Sequence, residues 1–198
     1  MRILAAMTMM AGLAGARDNR PNHGQTVKPV VAVCMSPGGN AALIFQARVI
    51  ASKIYSEIGV KIQWRTDPAD CTSPRHGIVV TLSLDTPADL HIGALAYAVP
   101  FEGTHIVLFY DRVMAATTPL MRPALVAYTL AHEIGHILQS TARHSDGGIM
   151  KARWEGTDFG EMRRGSLRFS DIDSILIHDG LDKRSAAAVH AASAPGEQ

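Results

Sequence analysis

His132 and His136 stand four residues apart, with Glu133 between them, in the run His132-Glu133-Ile134-Gly135-His136. On a helix of 3.6 residues per turn, positions four apart lie about 40° from each other around the axis, one turn above the other. Two imidazoles placed this way can aim at a single point, as the first two ligands of a tetrahedral zinc ion must. Glu133 lies one step round the helix, close enough to reach a water on that ion and badly placed to be a ligand. A carboxylate there is a general base, and zinc makes the water acidic enough to lose a proton at neutral pH. The pattern predicts a zinc hydrolase centre with His132 and His136 as ligands and Glu133 as the catalytic acid/base.

A catalytic zinc site takes a third protein ligand and leaves a fourth position open. His144 is the candidate, in the short polar run Ser140 to Gly148. Asp146 is its competitor, and Glu155 or Glu161 would serve if the ligand came from a later helix. His23, His76, His105, His178 and His190 read as surface or hydrogen-bonded histidines.

The pair must sit on a helix, and Pro123 to Leu138 reads as one. Pro123 suits the first turn, and Leu130, Ile134 and Ile137 make an apolar face roughly opposite the histidines. Upstream, Val27 to Met35 reads as a strand, and Asn40 caps a helix through Ile58 that Gly59 ends. Val60 to Trp64 and Ile78 to Leu84 alternate as two further strands. Leu95 to Val99 and Ile106 to Tyr110 are two short ones joined by a turn at Glu102-Gly103. A loop with Trp154 and Phe159 is expected to wall the site after Met150. A last helix is capped by Ser170, runs to about His178, and packs on the core through Ile172, Ile175 and Leu176. This order predicts an α+β domain: a twisted mixed sheet backed by two helices, with the metal helix beneath it.

The metal helix, a following histidine, and the turn Gly147-Gly148-Ile149-Met150 together resemble the metzincin clan of zinc proteases, most of all its matrixin-like members. His144-Ser145 with Gly148-Ile149-Met150 matches their His-Ser and methionine-turn pattern. The resemblance runs from about Val27 to Leu181. It implies a zincin/metzincin-like fold in which Met150 floors the histidines. It also implies that the strand Gly93 to Pro100 lies over the cleft, with Ala94, Ala96, Tyr97 and Ala98 binding an extended substrate by strand addition. Phe169-Ser170-Asp171-Ile172-Asp173 resembles the start of the family's last helix. One departure stands out. The family has five residues between its second and third histidines, and this chain has seven. Ala142 occupies the usual third-ligand position and Gln139 the usual glycine.

With 198 residues, 19 basic and 18 acidic side chains, the chain is expected to form one domain with no electrostatic case for nucleic acid. Residues 1–16 have the order of a secretory signal: Met1-Arg2, an apolar run from Ile3 to Ala14, and small residues ending at Ala16. That predicts a secreted or periplasmic protein without stable membrane insertion, with a catalytic domain over residues 17–182 and a disordered tail over residues 183–198. In an exported chain the two cysteines, Cys34 and Cys71, predict one disulfide, stabilising by roughly 3–4 kcal/mol on a loop-entropy model.

The function expected is a secreted, monomeric zinc endopeptidase acting on protein or peptide. The altered spacing to His144 leaves a rival open, a zinc-holding but proteolytically inactive extracytoplasmic binding module. A zinc hydrolase of non-peptide amides is a third possibility.

Overall fold

The computed structural model describes residues 28–66 and 77–193. The expected signal segment and Cys71 lie outside the described residues, and with Cys71 lies the expected disulfide. Cys34 is itself buried in the first strand.

The chain opens with β1 (Val30–Met35), α1 (Ala41–Glu57), β2 (Lys61–Arg65) and β3 (Gly77–Ser83). It continues with β4 (Ala96–Ala98), β5 (His105–Phe109), α2 (Tyr110–Ala116) and α3 (Arg122–Gln139), and ends with α4 (Gly156–Arg164) and α5 (Asp171–Ser193). The five strands form one sheet in the order β2-β1-β3-β5-β4. Every pairing is parallel except β4 with β5, which makes β4 an antiparallel edge strand. This is the mixed sheet that the sequence predicts.

Local signals act as their chemistry requires. Asn40 caps α1, its Oδ1 accepting from the Leu43 amide at 3.0 Å, and Gly59 leaves the helix with φ +77. Val31, Val33, Ile78, Val80, Ile106 and Leu108 alternate onto one buried sheet face. Helix α3 packs against α1, α5 and the β4–β5 edge, so that residues from Leu125 to Leu138 are all buried. Its apolar face of Leu130, Ile134 and Ile137 is fully buried, as its periodicity requires.

Three parts of the C-terminal half differ from the sequence reading. The wall after Met150 is not all loop. Glu155 and Asp158 form a reciprocal capping box that starts α4, and Gly165 closes that helix in a left-handed turn. Helix α5 runs on to Ser193, where an unpacked tail from Lys183 was expected, and Arg184 Nη1 donates to the Gly103 carbonyl at 2.7 Å. The face of α5 is also turned. Ile172 and Ile175 are exposed while Asp173, Ile177 and Leu181 are buried. Asp173 faces inward because three side-chain donors meet it there, and the two isoleucines are carried outward with the rotation.

Helix α2 was not expected. It carries Arg112, whose guanidinium lies 4.6 Å from the Phe109 ring centroid and donates to the carbonyls of Pro87, Leu90, His91 and Ala94. The loop leading into β4 is thereby held from below. No helix among the described residues is long and apolar enough to cross a membrane.

Candidate metal centre

Helix α3 presents His132, Glu133 and His136 on one buried face, toward a cleft of about 520 Å³. Each histidine of the pair is fixed through its Nδ1. His132 Nδ1 donates to the Ile149 carbonyl at 2.8 Å, and His136 Nδ1 donates to the Thr141 carbonyl at 2.9 Å. A carbonyl only accepts, so both rings carry their proton on Nδ1 and turn a lone pair outward on Nε2. Those Nε2 atoms stand 3.0 Å apart. Two acceptor nitrogens this close repel each other unless a cation lies between them. For comparison, zinc–nitrogen bonds of about 2.0–2.1 Å in a tetrahedron place two ligands about 3.4 Å apart.

His144 completes the group. Its ring lies 5.3 Å from that of His132 and 4.9 Å from that of His136, centroid to centroid. One ligand nitrogen from each of the three rings lies within 4.8 Å of the other two. Asp146 is exposed and Glu155 caps α4, and neither belongs to this group, nor does Glu161.

The two extra residues before His144 are absorbed at a definite place. Gln139 remains helical, and the left-handed exit that a glycine makes in the resembling family falls to Ser140, with φ 51 and ψ 40. The exit thus lies four residues after His136, and His144 four after the exit. One residue is added on each side of the bend, and the third ring still reaches the pair.

Below the rings, Met150 is fully buried against Gly135, in the middle of the motif. A Cβ on Gly135 would lie 2.6 Å from Met150 Sδ, so no larger residue fits without displacement. Gly148 turns with φ +73 and faces the Arg168 carbonyl too closely for a side chain. The Ser145 amide donates to the Met150 carbonyl at 2.8 Å, and the Ile149 amide to the Arg168 carbonyl at 2.9 Å. The turn and the third histidine are therefore one hydrogen-bonded unit.

Burial sets the electrostatics. It lowers His132 to about 4, against the hydrogen bond to Ile149, and it also lowers His136 and His144. All three are neutral, the form that binds a metal. Burial pushes the Glu133 carboxyl up to about 8, while the Ala98 amide donates to it and pulls the other way.

That contact follows from the sheet register. Leu95, Tyr97 and Val99 turn their main-chain groups toward β5, with Phe109 N donating to Leu95 O and Val99 N to His105 O. By strand alternation, Ala96 and Ala98 turn theirs toward the cleft. Ala94, Ala96, Tyr97 and Ala98 all line it, as expected of an edge strand over the site. Trp154 and Phe159 form part of the wall after Met150, and Trp154 meets the His132 ring edge-on with centroids 5.6 Å apart.

Two contributors escaped the sequence reading. Asp173 reads as an ordinary first-turn acid of a helix, and Arg112 carries no local pattern at all.

No family model matches the chain, and no curated protein matches it in sequence. Among solved structures, archaemetzincin from Methanopyrus kandleri is similar at 16% identity, covering 81% of this chain and 99% of that one, with a TM-score of 0.53. Myroilysin is similar at 15% identity over 74% of this chain and 71% of its own, with a TM-score of 0.35. The sheet, the helix carrying the histidine pair and the closing helix together make a zincin fold of the metzincin type.

Proposed function

We propose that the chain is a zinc-dependent endopeptidase acting outside the cytoplasm, related in design to matrixin-like metzincins. One observation carries the reading: three neutral imidazoles converge while the adjacent Glu133 stays outside the ligand group. The donor set fits the metal, since three histidines with an open fourth position are a catalytic zinc arrangement. Zinc bound there would supply Lewis acidity to water and to a carbonyl. The chain's own part is positional and acid–base. Ala96 and the carbonyl of Ala98, whose amide is taken up by Glu133, offer main-chain groups to an extended peptide laid along β4, which gives affinity with little sequence choice. Glu133 takes a proton from the attacking water and returns it to the departing amine. A nearby dication favours its ionised form, against the upward push of burial.

A purified chain is expected to hold about one zinc, and Glu133→Ala to keep the metal while losing casein cleavage on the order of 10²–10⁴-fold. Cleavage by Glu133→Ala at the wild-type rate would remove the assigned base. The rival, an inactive zinc-holding module, predicts four protein ligands by X-ray absorption in place of three plus water.

A further inference from the structure

The edge strand β4 turns one hydrogen-bonding side toward the cleft, and the residues at its two ends limit how far that side extends. Leu95 and Val99 spend their main-chain groups on β5, Leu95 O accepting from Phe109 N at 2.9 Å and Val99 N donating to His105 O at 3.0 Å. Ala96 and Ala98 turn theirs outward. The Ala98 amide is taken by Glu133. What remains is the Ala96 amide and the carbonyls of Ala96 and Ala98, and none of these bonds to another described residue.

On one side the row stops at Ala94. Its amide donates to the His91 carbonyl at 3.0 Å and its carbonyl accepts from Arg112 Nη1 at 3.2 Å, so both groups turn back into the loop. The same guanidinium gathers the carbonyls of Pro87, Leu90 and His91 at 2.7, 2.7 and 2.8 Å. That loop cannot straighten into strand without losing these bonds. On the other side the next outward position is Pro100, which has no amide. It opens the turn that Gly103 N closes on Val99 O at 3.0 Å, where the chain leaves the sheet. A proline and a tied loop are both means of ending the pairing along an edge strand.

We propose that the cleft recognises a short stretch of extended peptide, and that the Ala96 amide with the carbonyls of Ala96 and Ala98 are the only main-chain groups of β4 that it uses. In either strand direction those two carbonyls accept from peptide amides two residues apart, and the Ala96 amide donates to one peptide carbonyl. Substrate residues beyond that stretch pass Ala94 and Pro100 without main-chain pairing. Short peptides therefore bind as well as long ones of the same central sequence. The proposal rests on the cleft binding an extended peptide, as in the reading above, but not on hydrolysis.

Calorimetric titration of blocked peptides into the zinc-loaded Glu133→Gln chain tests it, since this variant keeps an oxygen for the Ala98 amide and lacks the base. In one bound peptide, each amide is replaced in turn by an ester, which removes the N–H and keeps the shape. Two replacements, two residues apart, are expected to weaken binding about three- to tenfold each, and the others to change it less than about twofold. Alanines added at either end are expected to change affinity less than about twofold. Ala96→Pro, whose lost amide points away from β5, is expected to weaken binding about three- to tenfold at unchanged zinc content. Any other number of sensitive amides, affinity that climbs with added alanines, full affinity in Ala96→Pro, or no peptide binding overturns the confined row. Wild-type cleavage of the parent peptide separates the two ideas. The expected ester pattern without cleavage sinks the peptidase alone, and cleavage with any other pattern sinks the row alone.

Discussion

Arg143 Nη2 donates to the carboxylate of Asp173 at 2.8 Å, joining the residue just before His144 to the first turn of α5. The same carboxylate accepts from Ser145 Oγ at 2.6 Å, on the other side of His144, and from Ser170 Oγ at 2.6 Å. Asp173 is fully buried, so these bonds act in a medium where they count for more than at the surface. The widened loop thus has both of its arms tied to one anion, which holds the third imidazole toward the pair.

Asp173→Asn removes the charge and one acceptor while keeping the shape. Zinc affinity is expected to fall about tenfold or more, the usual effect of losing an outer partner of a metal ligand. Competition with a chromogenic chelator measures it, and affinity equal to wild type would show that His144 is held by other means.

The bend after α3 makes a prediction about which residue leaves the helix. Ser140 sits in a left-handed conformation that disfavours side chains by about 1–2 kcal/mol. Ser140→Gly is therefore expected to raise the melting temperature slightly, after allowing for glycine's greater freedom when unfolded. Gln139→Gly, at the position where the resembling family has its glycine, is expected to destabilise by about 1 kcal/mol, because that residue is still helical. Thermal denaturation of the two variants decides, and the opposite order would place the bend one residue earlier.

Gly135→Ala is expected to destabilise although alanine is the better helix former by about 1 kcal/mol. Its methyl group would meet Met150 Sδ. Overpacking of this kind costs about 1–3 kcal/mol. Shortening Met150 to Ala in the same chain should recover part of the loss relative to Met150→Ala alone. A double-mutant cycle by urea denaturation reads the coupling, and strict additivity would mean that the two residues do not press on each other.

With a chelator present, acid is expected to destabilise the chain through its buried histidines. His132 in the folded chain is lowered to about 4 from an ordinary value of 6.5, so the unfolded chain binds the proton more readily. The stability contributed by the neutral ring is present above pH 6.5 and is lost as the pH falls toward about 4. Melting temperatures between pH 4 and 7 should therefore drop more steeply for wild type than for His132→Gln. Parallel curves would show that His132 titrates normally.

What the sequence by itself determined is whatever depends on spacing along one element. Four-residue spacing placed His132 and His136 on one face of α3, alternation specified which strand residues are buried, and Asn40 and Gly59 bounded α1. The edge-strand residues over the cleft and the Gly148-Ile149-Met150 turn were legible through resemblance to a family, and they stand where that likeness implied. That His144 and not Asp146 comes within reach of the histidine pair was decided by tertiary structure, because it depends on how a loop of seven residues closes across space. The inward turn of Asp173 and the clamp of Arg112 belong to the same class. A polar residue is buried only when its partners arrive from other elements, and those partners are separated by as many as 30 positions along the chain. Helix α4 is a milder case. Its capping box was readable in Glu155 and Asp158, but its glycines and arginines are poor helix signals, and packing on α3 supplies what propensity lacks.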